Sequence, residues 1–283
     1  MPEPTRVLVT GAGTGIGRAT ALRYAERGAR LTLVGRRAAP LDDVATRCRE
    51  QGADDVLVRP ADVTDAGACE KVVADVVAAH GGLDVCVHSA AVAAYGRLHE
   101  LPLEAVDRVV EINVLGSLRV ARPVLRAFRE QQGGTLVLIG SVLGRVAVPQ
   151  MGAYVVSKWA VRGLARVLAL ESRDIPGVEV CLVAPGAVDT PIYPEAGNWT
   201  GRRPRPPWPV AQADDVARAV LHTVEHPRRE RLTGWATPLM AAGGALLPWA
   251  YDALAGPLMR VGGFSRAPAE PGPGNLWRDD RGQ

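Results

Sequence analysis

The chain has 283 residues, 47% hydrophobic and 22% charged, with a net charge of +3. This is globular composition, enough for one large core, and its arginines form no basic stripe of the kind that binds nucleic acid. Cys48, Cys69, Cys86 and Cys181 show no C-x-x-C or histidine-rich spacing; they read as reduced thiols of a cytoplasmic protein, with no metal site. The first residues lack the character of a secretory signal, and no apolar run reaches about 18 residues, so neither a leader nor a spanning helix is expected.

In chain order, Arg6 to Thr10 predicts a first strand. It breaks into Gly11-Ala12-Gly13-Thr14-Gly15-Ile16-Gly17, and a helical pattern runs on to a stop at Gly28. Glycines let a backbone turn tightly and approach a pyrophosphate, whose charge a helix N-terminus attracts. Leu31 to Val34 predicts a second strand ending at Gly35-Arg36-Arg37. In a dinucleotide fold this strand end meets the adenosine ribose. A carboxylate here would repel a 2′-phosphate, whereas two arginines pair with one, so NADP(H) is expected over NAD(H).

A helix over 40–51, a strand over 56–58, and a turn and cap at Asp62-Val63-Thr64-Asp65 follow, with Asp62 placed to touch an adenine edge. After a helix over 69–79, a strand over 83–87 runs into His88-Ser89-Ala90-Ala91, where small residues let backbone pack near a cofactor. Residues 102–131 carry a long helical pattern with Asn113 inside it. Asn113 is either a satisfied buried amide or the holder of a water or of a lysine.

Residues 135–139 predict a strand ending at Gly140-Ser141, and 152–173 predict a helix bearing Tyr154 and Lys158. That spacing puts a phenol and an ammonium one turn apart on one face. A nearby cation lowers a phenol's pKa, which suits acid/base work. Lysine is otherwise present only at Lys71 among 33 cationic residues, so its use at 158 is not background composition. A strand over 178–183 ends at Ala184-Pro185-Gly186.

From 188 to about 210 the chain turns to proline, glycine, tryptophan and arginine, as in a substrate lid carrying Tyr193, Trp199 and Trp208. A helix over 213–226 and a last strand over 231–235 complete the alternation. This predicts an α/β, doubly wound Rossmann fold with a parallel sheet of about seven strands and helices on both faces. Its domain is expected over 1–235. An apolar extension over 236–263, read as two short helices, is expected to pack on that domain; the alternatives are that it covers the substrate mouth, joins a partner subunit or, through 240–261, lies on a membrane surface. A polar tail over 264–283 is expected to be poorly ordered.

Together these residues resemble the short-chain dehydrogenase/reductases. The likeness covers about residues 5 to 235. Thr10-Gly11-x-x-x-Gly15-x-Gly17 is similar to the family's cofactor motif. Asn113, Ser141, Tyr154 and Lys158 match its catalytic tetrad in order. Pro185, Gly186, Val188 and Thr190 fall in the segment that holds the nicotinamide.

The resemblance implies reversible hydride transfer between NADP(H) and a carbonyl or secondary alcohol of a small, hydrophobic substrate. It implies the cofactor contacts Gly11, Gly13, Thr14, Gly15, Ile16, Gly17, Arg36, Arg37, Asp62, Val63, Ser89, Ala90, Tyr154, Lys158, Pro185, Gly186, Val188 and Thr190. Tyr154 is expected as proton donor, with Lys158 lowering its pKa, Ser141 orienting the carbonyl and Asn113 holding a relay water. Epimerisation, dehydration, imine reduction and non-enzymatic NADP binding are the alternatives on the same scaffold. A homodimer or homotetramer through 102–131 and 152–173 is also implied.

Two departures stand out. His88-Ser89-Ala90-Ala91 replaces the family's usual Asn-Asn-Ala-Gly, and Thr14 is neutral where some NADP-preferring members carry a base. Pro227 to Glu230, the apolar stretch and Gly274-Asn275-Leu276-Trp277 resemble a bacterial subset with an extended C-terminus.

Overall fold

The β-branched and leucine-rich runs of the chain alternate their side chains with the period of two that a strand requires. In the computed structural model, which describes residues 3–277, they form one parallel sheet. Its strands are β1 (Arg6–Thr10), β2 (Arg30–Gly35), β3 (Asp55–Pro60), β4 (Val85–His88), β5 (Gly134–Ile139), β6 (Val178–Pro185) and β7 (Glu230–Thr233). The spatial order is β7-β6-β5-β4-β1-β2-β3. Thr10 pairs in register with both Val34 and His88, which brings the C-terminal ends of β1, β2 and β4 level. The strand order reverses between β1 and β4, the place where an open parallel sheet leaves a crevice.

Alternation divides the core in two. Val7, Val9, Leu31, Leu33 and Val87 face one side. There they meet helices α1 (Gly15–Ala25), α2 (Ala38–Glu50) and, further along the chain, one at Ala213–Glu225. Leu8, Cys86, Leu136 and Leu138 face the other. That side is covered by α3 (Ala66–His80), α4 (Leu103–Val110), α5 (Gly116–Glu130) and α6 (Gly152–Glu171). The Ala213–Glu225 helix is α7. Asp65 caps α3 by accepting from Ala68 N at 3.0 Å, and Gly81 ends it in the left-handed conformation. All four cysteines are free and buried, and burial pushes each thiol upward.

The single helix expected over 102–131 is interrupted. Between α4 and α5 lies a π-helical turn, Glu111–Leu115, containing Asn113. Such turns carry one extra residue in a helix and often mark functional sites.

The apolar stretch forms α8 (Thr237–Leu246) and α9 (Pro248–Gly262). Met259 and Phe264 join Tyr95, Met151 and Val155 in a third apolar cluster beside the sheet's C-terminal edge. No described helix is long and apolar enough to cross a membrane. The tail differs from expectation through residue 277. Phe264–Pro268 pairs antiparallel with Arg202–Pro204, and Leu276 is fully buried in the main core cluster, against which Trp199 packs. A single leucine with an apolar slot to fill is what anchors this polar segment; residues 278–283 lie outside the described residues.

Candidate active site

The β1–α1 turn is built by glycine. Gly11 has φ +65 and abuts the backbone of Ser89 and Ala90, while a Cβ on Gly17 would collide with the Gly11 carbonyl. Only glycine lets α1 dock this closely. Thr14 stands at the N-cap of α1 but makes no side-chain capping bond, so the helix start keeps the donors and dipole that hold a phosphate.

This turn forms one wall of a cavity of about 810 Å³. Of the expected cofactor contacts, Gly11, Gly13, Thr14, Gly15, Ile16, Arg36, Arg37, Asp62, Val63, Ser89, Ala90, Tyr154, Lys158, Pro185, Gly186, Val188 and Thr190 all line it, as does Ser141. Gly17 and Asn113 do not: Gly17 is the buried floor of the turn, and Asn113 lies one layer behind the wall. The glycine cradle, the uncapped helix start and the arginines fit a dinucleotide.

Asp62 accepts from Thr64 N at 2.9 Å and from Arg108 Nη2 at 3.0 Å. Burial acts to raise its carboxyl, but those bonds outweigh it and hold the group below its ordinary value. Arg36 donates to the carbonyl oxygens of Asn275 at 2.7 Å and Leu276 at 3.0 Å. Neither Arg108 nor the tail carbonyls are signalled locally in the sequence, since both arrive from distant segments.

At the other end of the cavity, Ser141 follows β5 and its Oγ accepts from Leu143 N at 3.1 Å. Tyr154 and Lys158 sit one turn apart on α6. Lys158 Nζ donates to Ile139 O at 2.9 Å and stands 5.5 Å from the Tyr154 ring centroid. Burial lowers Lys158 to about 8. Tyr154 runs opposite to expectation. Burial, reinforced by Tyr193, pushes the phenol above its ordinary value; the hydrogen bond with Ser141 acts the other way, and Lys158 does not reverse the balance.

Asn113 is 1% exposed and bridges elements. Its Oδ1 accepts from Val92 N, and its Nδ2 donates to Val92 O and Ser157 Oγ, each at 2.9 Å. Both amide hydrogens are spent, so the side chain fastens the loop after β4 to α6 and does not reach Lys158.

His88, at the end of β4, is 3% exposed. Its Nδ1 lies 2.8 Å from Thr10 Oγ1, and its Nε2 has no partner. Burial, with Lys158 nearby, lowers its pKa to about 3.

The remaining wall is apolar: Tyr95, Val148 and Met151 come from segments whose sequence carries no sign of the site, and Met240, Leu254 and Leu258 come from the apolar extension, for which covering the substrate mouth is one of the readings. Tyr193 and Trp208 line the cavity as the lid reading expects, whereas Trp199 turns away and packs against the core. Among the described residues the one cluster of metal-ligand type is His222, Glu225 and His226, which is exposed on α7, pairs Glu225 with Arg27, and lies away from the cavity.

A dinucleotide cradle on a doubly wound sheet, opening beside a serine, a tyrosine and a lysine, defines a nicotinamide-dependent oxidoreductase. The short chain dehydrogenase family model matches residues 5–201, and the chain belongs to that family. It is 27% identical over 274 residues to an uncharacterised oxidoreductase of Bacillus subtilis, covering 94% of this chain and 75% of that one. It is 37% identical over 188 residues to a glucose 1-dehydrogenase of Gluconobacter oxydans, covering 66% and 70%. Among solved structures it resembles an alcohol dehydrogenase from Thermococcus sibiricus complexed with 5-hydroxy-NADP. That match has a TM-score of 0.71 at 28% identity, covering 82% of this chain and 96% of that one.

Proposed function

We propose that this protein is an NADP(H)-dependent ketoreductase, also working as an alcohol dehydrogenase, on a small hydrophobic carbonyl or secondary alcohol. The observation that carries this reading is one cavity with two characters. Its cradle end holds Arg36 and Arg37, and its far end sets Ser141 and Tyr154 against apolar walls. The residues fit NADP(H): the Gly11–Gly17 turn and the start of α1 for the pyrophosphate, Arg36 and Arg37 for the 2′-phosphate, and Lys158, Pro185, Gly186, Val188 and Thr190 around the nicotinamide half. When bound, that group supplies or accepts the hydride.

The chain's own residues do the rest. Tyr154, with its phenol held above the ordinary value, is protonated at neutral pH and donates its proton to the carbonyl oxygen, which favours reduction. Ser141, hydrogen-bonded with that phenol, orients and polarises the same oxygen. Lys158 is mostly an ammonium at neutral pH and restores the charge balance as the proton leaves. Asn113 keeps α6 in register with the loop after β4. Buried walls such as Tyr95 and Met151 exclude water, and the apolar surface of Leu254 and Leu258 favours an apolar substrate.

The proposed assembly is a homodimer or homotetramer, supported by apolar residues exposed on and beside α5 and α6: Leu115, Leu118, Val156, Trp159 and Leu170.

Titrating NADPH and NADH, followed by nicotinamide fluorescence, tests the reading. NADPH should bind more tightly, and Arg36→Asp should weaken it about 10- to 100-fold, as loss of a charged phosphate contact implies. Tyr154→Phe should cost about 10²- to 10⁴-fold in kcat with NADPH affinity retained. Preference for NADH would overturn the phosphate assignment, and full turnover by Tyr154→Phe would overturn the proton donor.

A further inference from the structure

The tail meets the cofactor cleft at a specific point. Arg36 Nη1 and Arg108 Nε both donate to the carbonyl oxygen of Leu276, at 3.0 and 3.1 Å, while Arg36 Nη2 takes the Asn275 carbonyl at 2.7 Å. Two guanidiniums thus converge on one oxygen beside the adenosine end of the cleft, whose wall includes Arg36, Asp62 and Asn275. Arg108 also pairs with Asp62 and Glu111.

On its other side the same segment is tied to the lid. Asn275 N donates to Glu195 O at 2.8 Å and its Nδ2 to Glu195 Oε2 at 3.2 Å. Gly272 and Asn198 exchange backbone bonds at 2.8 and 2.9 Å. Gly274, at φ +58, lies so close to the backbone of Glu195 and Ala196 that no Cβ fits. Leu276 anchors the whole in the core.

We propose that residues 272–277 form a cofactor-selectivity strap. Its Asn275 and Leu276 carbonyls hold Arg36 and Arg108 in place of a phosphate, and a 2′-phosphorylated nucleotide displaces them. The idea rests on the NADP(H) reading above and adds Arg108 to Arg36 and Arg37 as a third cation of the phosphate site. An ionised phosphate pairs with a guanidinium across two opposite charges and bidentately, which a neutral carbonyl cannot match. A cofactor lacking the phosphate leaves the carbonyls where they are. Displacement withdraws Asn275 from Glu195 and so loosens the base of the lid over Tyr193.

Two variants remove the strap without touching the residues assigned to the cofactor or to proton transfer: truncation after Ala269, and Gly274→Ala. Kd values for NADPH and NADH are compared with those of the full chain. Strap removal should tighten NADPH about 10-fold, the equivalent of one lost competing interaction of about 1.4 kcal/mol, and should move NADH less than about 2-fold. Hydrogen exchange on the full chain should rise at 272–277 and 195–198 with NADPH and not with NADH.

A wild type that prefers NADPH, with unchanged or weaker NADPH binding once the strap is removed and no change in exchange, sinks the strap and leaves the proposed function standing. A wild type that prefers NADH sinks the phosphate assignment itself. If the truncation does not fold, Gly274→Ala and the exchange measurement decide.

Discussion

His88 occupies a position where the resembled family carries an amide, and its surroundings give it a measurable signature. It is buried, its Nε2 lacks a partner, and Thr10 and Lys158 are the polar groups that face it. The unfolded chain binds a proton on this ring near 6.5, whereas the folded chain refuses it until about 3. Its contribution is therefore complete above 6.5 and is lost as pH falls toward 3. At pH 5 the loss amounts to about 2 kcal/mol, from about 1.36 kcal/mol per pH unit. Urea unfolding at pH 7 and pH 5 should show that loss in the wild type and not in His88→Asn; equal losses in both would place His88 in a wetter setting. At this scale Ser141, Tyr154 and Lys158 were legible because a strand end and a helical spacing fix where they meet. The partners of Asn113 and Arg36 were not, because Val92, Ser157, Asn275 and Leu276 reach them only through the tertiary fold. The sense of the Tyr154 shift was misread for the same reason: spacing gave the neighbouring cation, but burial outweighs it.

The elements were read well where pattern and punctuation agree. The β1–α1 turn is the clearest case, since glycine is demanded by contact and not merely tolerated. Gly17→Ala places a methyl against the Gly11 carbonyl oxygen, backbone that has no rotamer by which to yield. It should cost about 3 kcal/mol of stability, typical of overpacking, and should abolish binding of any nicotinamide nucleotide because the turn opens. Thermal unfolding and a fluorescence titration read both effects; nucleotide binding with unchanged affinity would show that the turn tolerates the shift. The π-turn at Glu111–Leu115 was missed. From Ala105 to Phe128 the buried positions advance in six steps over 23 residues, about 3.8 per step against the 3.6 of an α-helix. That drift is the sequence trace of the extra residue, but Val106, Val110 and Val114, only partly buried, add apolar noise that hides it. The tail was missed differently: one leucine among prolines and glycines carries no periodicity, so its burial follows only from the slot beside Trp199.

At the scale of the whole molecule, polarity runs along the cavity. The glycines and arginines proposed for the phosphates sit over β1 and β2, the proposed proton donor Tyr154 over β5 and α6, and apolar side chains of α8 and α9 close the far end. The sheet's order sets the first two, because strands on either side of the switch point end level. The third depends on α9 and the strand that follows it, which pack through Met259 and Phe264 onto Tyr95 and Met151. Leu258 tests whether this end receives the substrate. It lines the cavity yet is 65% exposed, so Leu258→Asp changes the lining without burying a charge in the core. If an apolar substrate packs there, the variant loses about 1.5 kcal/mol of hydrophobic contact, or about tenfold in KM. Such a contact is made equally in the bound substrate and the transition state, so kcat should hold. NADPH affinity should also hold, because the residue lies at the opposite end from Arg36. Steady-state kinetics with a homologous series of aliphatic ketones reads the effect. The penalty should grow with chain length, and a flat KM across the series would move the substrate site away from α9.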